Sequence, residues 1–523
     1  MFGFDPSKLN IAAVTCEVST LDTQQVAPIF IKVDVQGYEY QVLSSPPPAL
    51  LFLSMCLLFL ACADDGLVGQ LAKLSWLASV LLLAFTDTGG AFGVYIASVA
   101  IFSPRSSMYL VKELTQVGGW GSPLERPDNY ALVFVVLGLA FIGAKRTQTP
   151  AAKLFTFIAG IFLAYGVVQM VLLGVATRST VAWFFRAYGG FCLSVLLWRA
   201  APGMRDLRRF AAVVTILGGY MATLTLLEAA KCYSWVIPRW IVDPALNGNI
   251  IEMIGAGRAG GLFMESEYNG AALGLICCII AASVKLGDIR TRIAKGIALI
   301  LCLAAIYFTY TRGAWLAVAA GIAILSVPGV RSERDRRKTA LQCIAAIVVA
   351  AVLLIIPNHR ASERLGNSEN VYYRLNVWAA SMKMAAERPW FGYGYGQFAS
   401  QVVEYHDQVG SVPFKHLGLE GTVTHNVLVN VLVEEGSVGF LLYMVLGLII
   451  YRNASKRASR AWGGLGVAWV LAICAVYFIN MQFISGYEPT NNLLLFGSLG
   501  MTAGLTRCRL QVMPSVEISE SVL

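Results

Sequence analysis

Apolar segments recur along almost the whole chain, and their length restricts the fold more than any other feature. A bilayer core requires about 20 apolar residues per helix, with a range of about 17 to 25. Ten runs approach this length: 154–175, 181–198, 210–229, 269–284, 294–310, 313–328, 340–356, 437–451, 463–481 and 490–506. Four more, 49–63, 73–86, 89–103 and 130–144, are shorter, and glycine and aspartate blur their ends. The runs are continuous and do not alternate, which argues against a β-barrel. Composition agrees: 57% of residues are hydrophobic and 14% charged, against roughly 25% charged in a soluble domain. The expected fold is an all-α polytopic membrane protein with about 12–14 transmembrane helices and a large extracytoplasmic loop that carries short helices.

The net charge of +9 would suggest nucleic acid in a soluble chain, but its distribution excludes that reading. Twenty of the 40 basic residues fall in five short loops that recur after every second helix, at 145–153, 199–209, 285–295, 331–338 and 452–460. Basic residues near helix ends resist translocation, so these loops are expected on the cytoplasmic side, together with both termini. Parity then places three segments outside: 230–268, the turn at Thr311 and Arg312, and the long stretch 357–436. The last holds all four histidines, His359, His406, His416 and His425. The 11 cysteines lie mostly within apolar runs, with neither a disulfide framework nor a CxxC metal spacing, and serve as small core residues.

Residues 1–48 differ in kind and are too polar for a signal peptide. Thr20-Leu21-Asp22 followed by Ile29-Phe30-Ile31-Lys32-Val33-Asp34-Val35-Gln36-Gly37-Tyr38-Glu39 resembles a late segment of FkbM-type methyltransferases. The resemblance covers some 45 residues without a cofactor loop, so it implies a remnant without activity. Pro46-Pro47-Pro48 marks a break before a membrane domain over 49–506 and a cytoplasmic tail over 507–523.

Four outward motifs could carry chemistry. Gly257-Arg258-Ala259-Gly260-Gly261 is followed by Glu265, Glu267 and Asn269 at the mouth of a helix, and its glycines permit close backbone approach. Phe308-Thr309-Tyr310-Thr311-Arg312-Gly313 sets an arginine in a turn between apolar helices, where it either snorkels to water or faces a polar cavity. From Val371 to Glu387, Tyr372, Leu375, Trp378 and Met382 form one helical stripe, with Arg374 off it. Pro389 ends this helix before the aromatic loop Phe391-Gly392-Tyr393-Gly394-Tyr395-Gly396, and Trp378 suits the membrane interface or the face of a sugar ring. Finally, Thr424 is the expected N-cap of a helix whose first turn holds His425, with Glu434, Glu435 and Gly436 farther along. That helix either breaks at Gly436 or lines a wet cavity with its acidic face.

In their order, these motifs resemble the O-antigen ligase and Wzy-type polysaccharide polymerase superfamily, over about residues 130–506. The residues concerned are Arg258 with Gly261, Phe263 and Asn269; Thr311-Arg312-Gly313; Arg374 with Trp378; Pro389-Trp390-Phe391-Gly392-Tyr393-Gly394; and His425-Asn426 with Glu435-Gly436. Met264-Glu265-Ser266-Glu267-Tyr268-Asn269 departs from the shorter approach to Pro-Asn that is more usual there. The resemblance implies transfer of a glycan from a polyprenyl (undecaprenyl) diphosphate carrier to an acceptor hydroxyl outside the inner membrane. The acceptor would be a lipid A core sugar for a ligase, or a carrier-linked glycan for a polymerase.

The residues suit that chemistry. A diphosphate leaves as a stable anion and needs positive charge, which the planar arginine fork supplies; Arg258 and Arg312 are the candidates, with Arg374 a further one. An alcohol is a poor nucleophile, and His425 is the candidate base. No Asp-rich or His-rich metal constellation accompanies the motifs, so metal-independent transfer with inversion and no cofactor is expected. A secondary transporter of a small anion would show internal repeats, which are not evident, and a non-catalytic export scaffold would leave the arginines and histidine unexplained.

Overall fold

A computed structural model describes residues 48–63, 66–102, 127–144, 149–236, 258–263, 266–284, 289–326, 369–409, 424–484 and 488–505. The chain divides into two units, Met1–Phe52 and Leu53–Leu523, and the site lies wholly in the second. The described residues form α1 (Pro48–Ala63), α2 (Leu67–Thr86), α3 (Thr88–Phe102), α4 (Pro127–Ala144), α5 (Pro150–Leu172), α6 (Arg178–Ala200), α7 (Met204–Ala229), α8 (Ser266–Ser283), α9 (Ile289–Phe308), α10 (Arg312–Ser326), α11 (Glu369–Glu387), α12 (Phe398–Val409), α13 (Val427–Trp462), α14 (Gly464–Asn480) and α15 (Pro489–Gly504). Seven of the described helices are long and apolar enough to cross a membrane, and five shorter apolar ones accompany them. The protein is an all-α polytopic membrane protein.

Every expected apolar run but one coincides with a helix; the exception, 340–356, lies outside the described residues, as do the FkbM-like stretch and the basic loop at 331–338. Local chemistry sets several boundaries. Thr149 caps α5 by accepting from Ala152 N at 3.2 Å, with Pro150 as the first helical residue. Asp206 accepts from Gly203 N at 2.7 Å and fixes the start of α7.

At the centre lies α15, buried along its entire length. Small residues let its backbone meet that of α6 directly. A Cβ on Gly500 would lie 2.7 Å from Ser194 backbone, and one on Gly190 2.9 Å from the Asn492 carbonyl. Asn492 then hydrogen-bonds across the contact to Ala187 O at 2.7 Å. The outer helices instead expose apolar side chains, among them Phe157 on α5 and Ile293, Ile297 and Ile300 on α9, as a lipid-facing surface requires.

The run expected at 437–451 is only the middle of α13, a 36-residue helix that at 1.5 Å per residue measures about 54 Å. It breaks at Gly436, whose φ of 66° and ψ of −176° are not helical. The loop after α11 repairs the break with backbone hydrogen bonds. Tyr393 N donates to Val433 O at 3.0 Å and Gly394 N to Glu434 O at 2.9 Å; Ser437 N donates to Pro389 O at 2.8 Å and Val438 N to Trp390 O at 3.3 Å. The approach demands glycine: a Cβ on Gly392 would sit 2.4 Å from Glu434 O, and one on Gly436 2.3 Å from Trp390 O. The glycine-aromatic loop is therefore a splint, and the Glu-Glu-Gly motif is the joint it holds.

The face of α11 that packs against protein is not the stripe that holds Leu375 and Met382. Val377, Ala380, Ser381 and Met384 are buried, while Leu375 and Met382 are half exposed. The packed face is set by α12 and α13, which come close on that side through Phe398, Val402, Tyr405 and Val433.

Candidate functional site

Five chain segments converge at the start of α8. Glu267 sits in the first turn of that helix, where the helix dipole favours a carboxylate. Arg258 approaches from the preceding loop, with its Nη2 3.4 Å from Glu267 Oε1. Arg374, on α11, places its Nη2 3.0 Å from the same oxygen. His425 Nδ1 stands 3.7 Å from the other oxygen, Oε2, too long for a hydrogen bond but close enough for the carboxylate to favour the protonated ring. The four side chains are 14–23% exposed, so water reaches them but screens them incompletely.

Each member is held by its own surroundings. Arg258 is braced against the α9–α10 turn: its Nε donates to Thr309 O at 3.4 Å and its Nη2 to Thr311 Oγ1 at 3.2 Å. Gly261 N donates to Glu228 Oε2 at 2.7 Å, which ties the arginine loop down onto α7. A Cβ on Gly261 would lie 2.6 Å from Thr225 Oγ1 and 2.9 Å from Asn269 Nδ2, so the loop packs against polar groups with no room for a side chain. The guanidinium of Arg374 lies over the ring of Phe483, 5.5 Å from its centroid.

The expected N-cap is two residues early. Asn426, not Thr424, caps α13, and its Oδ1 accepts from Leu428 N at 3.0 Å and Val429 N at 3.1 Å. His425 therefore precedes the helix, in a left-handed conformation with φ 49°, which is costly for a non-glycine residue. Its neighbours hold it there. Trp378 Nε1 donates to Thr424 O at 2.9 Å, Asn426 Nδ2 to Gln482 Oε1 at 2.9 Å, and Val427 N to Met481 O at 2.8 Å. Trp378 thus strains the histidine turn into place, a role neither the interfacial nor the sugar-stacking reading assigned to it.

Burial is the largest influence on the His425 imidazole and lowers its pKa below the ordinary 6.5. Glu267 and the backbone of Phe483 pull it up, whereas Arg374 and Arg258 push it farther down. The net direction is downward, so the ring is neutral at neutral pH and free to accept a proton.

Three of the four residues picked from the sequence, Arg258, Arg374 and His425, thus meet on one carboxylate. The fourth, Arg312, is exposed at the start of α10, next to the Thr311 that braces Arg258. The sequence placed Glu267 at the helix mouth and Thr311 in the turn beside Arg312 without giving either a role, and Gln482 and Phe483 did not stand out in it. The available signal was an acidic first-turn residue nine positions after an arginine. Among the described residues no group of three or more metal-binding side chains occurs.

Residues 297–444 match the family model described as Wzy_C, O-Antigen ligase. The matched stretch spans α9 to the middle of α13 and includes Arg312, Arg374, His425 and the Glu434-Glu435-Gly436 joint; Arg258 and Glu267 lie outside it. No curated protein matches the chain. The molecule is a multi-pass membrane protein whose C-terminal half contains a region similar to O-antigen ligases.

Proposed function

We propose that the protein transfers a glycan from a polyprenyl diphosphate carrier to a sugar hydroxyl, on the outer side of the inner membrane. The observation that carries this reading is the meeting of two arginines with a neutral histidine at one partly open point, built from segments far apart in sequence. Arg258 and Arg374 bind the diphosphate, and the exposed Arg312 extends the same cationic surface. His425 takes the proton of the acceptor hydroxyl as its oxygen attacks the anomeric carbon from the face opposite the carrier. The configuration therefore inverts. The arginines stabilise the departing diphosphate without a proton or a metal.

In this reading the basic loops and both termini are cytoplasmic, and α11 and α12 belong to the outer loop. Reporter fusions near residue 405 should read extracytoplasmic. The deciding test is complementation of a deletion strain. His425→Ala should accumulate in the membrane yet build no full-length or lipid-attached glycan, and normal glycan from that variant would refute the role of His425. The glycan left in the deletion strain separates the two acceptors: bare lipid A core identifies a ligase, single repeat units a polymerase.

A further inference from the structure

Glu267 is a carboxylate where the proposed reaction needs a phosphate. Its Oε1 receives both Arg258, at 3.4 Å, and Arg374, at 3.0 Å, so the two guanidinium groups assigned to the donor are already engaged by an internal anion. Its Oε2 faces His425 Nδ1 at 3.7 Å, within charge range but outside hydrogen-bond range. One carboxylate is thereby divided between two strong cations and one base, and the cations hold it more closely. From this geometry we infer that Glu267 is an exchangeable stand-in for the donor diphosphate, which displaces it from Arg258 and Arg374 and releases it to His425.

The inference rests on the glycan-transfer reading above and adds an order of events to it. A diphosphate carries more charge than a carboxylate and offers oxygens to both planar forks at once, so it displaces Glu267. The freed carboxylate closes on Nδ1 and fixes the ring. It also stabilises the imidazolium that forms when the acceptor proton arrives. In the transfer, the bond between acceptor oxygen and anomeric carbon forms while the bond from that carbon to the carrier diphosphate breaks. The electron pair leaves with the diphosphate, and the hydroxyl proton passes to His425 and then to water. The base is thus at full strength only when a donor is present, which suppresses activation of water or acceptor at an empty site. The groups around His425 are Glu267, Arg258, Arg374, the Tyr373 ring at 6.2 Å and the backbone of Phe483; of these charged side chains, Glu267 alone favours the protonated ring.

The test uses the full-length protein in lipid nanodiscs. Inorganic diphosphate serves as the binding probe, and carrier-linked glycan extracted from the host membrane as substrate. Glu267→Gln should bind diphosphate about 10-fold more tightly and lower KM, while kcat falls about 100-fold. The acidic limb of its kcat profile should shift to lower pH, because the one anion that raised the His425 pKa is gone. Glu267→Asp, which keeps the charge, should recover most of kcat. Weaker or unchanged diphosphate binding by Glu267→Gln, or an unmoved acidic limb, would overturn the inference and leave Glu267 a strut.

Should the glutamine variant not accumulate, the aspartate variant decides: its shorter reach must also tighten diphosphate binding. Arg258→Ala and Arg374→Ala separate the two levels of the argument. Diphosphate binding that ignores both arginines refutes the transfer reading itself. Binding that needs them but does not tighten in Glu267→Gln refutes only the exchange.

Discussion

The start of α8 and the joint in α13 both bring carboxylates to positions from which a membrane protein would ordinarily exclude them, and they manage the cost in opposite ways. At the start of α8, Glu267 is matched by Arg258, Arg374 and His425, and the cluster stays partly open to water. At the joint, Glu434 and Glu435 are fully buried. Glu434 is held by neutral donors, Phe398 N at 3.0 Å and Asn430 Nδ2 at 3.1 Å, while the oxygens of Glu435 have no hydrogen-bond partner among the described residues. Opposite charges that can be exchanged for a ligand make a site. Backbone bonds that close a broken helix make a fixture. The joint therefore supports the site, by setting where the start of α13 and its histidine turn stand relative to α11.

That contrast can be broken in several ways. The largest expected effect is on the site: Arg258→Ala should cost about 10²- to 10³-fold in transfer, the range for an electrostatic contact made to developing charge, while protein abundance holds. The converse should come from the joint. Gly392→Ala forces a side chain against Glu434 O at a φ of 64°, and should destabilise by about 1–3 kcal/mol, visible as a lower melting temperature and reduced yield before any change in KM. An Arg258→Ala protein that melts early, or a Gly392→Ala protein that is stable yet inactive, would erase the distinction.

Smaller effects sharpen it. Trp378→Phe removes the donor to Thr424 O, and should cost about 1 kcal/mol, read as a several-fold loss of transfer with the histidine turn relaxed. Activity should also persist below the ordinary histidine range. With the folded pKa of His425 lowered from 6.5 in the unliganded protein, the neutral base survives until the pH falls through that lower value, so the acidic limb of the kcat/KM profile, which reports the free enzyme, should lie below 6.5. A limb above it would remove the burial argument. The smallest expected effect is that of Glu435→Gln, which should leave transfer within about twofold, under 0.5 kcal/mol on the barrier, because no cation loses a partner.

Helices were legible in the sequence because a bilayer demands length and apolarity, and both can be read residue by residue. The site was legible in part. Arg258, Arg374 and His425 stand out as polar groups among apolar runs. Their common partner does not, since a carboxylate 107 positions from one of its arginines is joined to it only by tertiary packing. The start of α13 was misplaced for a related reason. Thr424 and Asn426 are both good caps, and the choice between them falls to Gln482 and Met481, which reach the turn from the end of α14. The buried face of α11 was not legible because it is set by α12 and α13, which reach Val377, Ala380 and Met384 only through tertiary packing.

The wholly buried α15 has a consequence for biogenesis. It carries Thr490, Asn491, Asn492, Ser498 and Thr502 on surfaces that all meet protein, and it is not among the helices that are long and apolar enough to span on their own account. Against lipid those polar groups would be expensive. α6 and α13, which precede it in the chain and form much of its lining, must already be assembled when it enters. The last of the described helices in chain order is then the one that reports whether the helices before it have closed correctly.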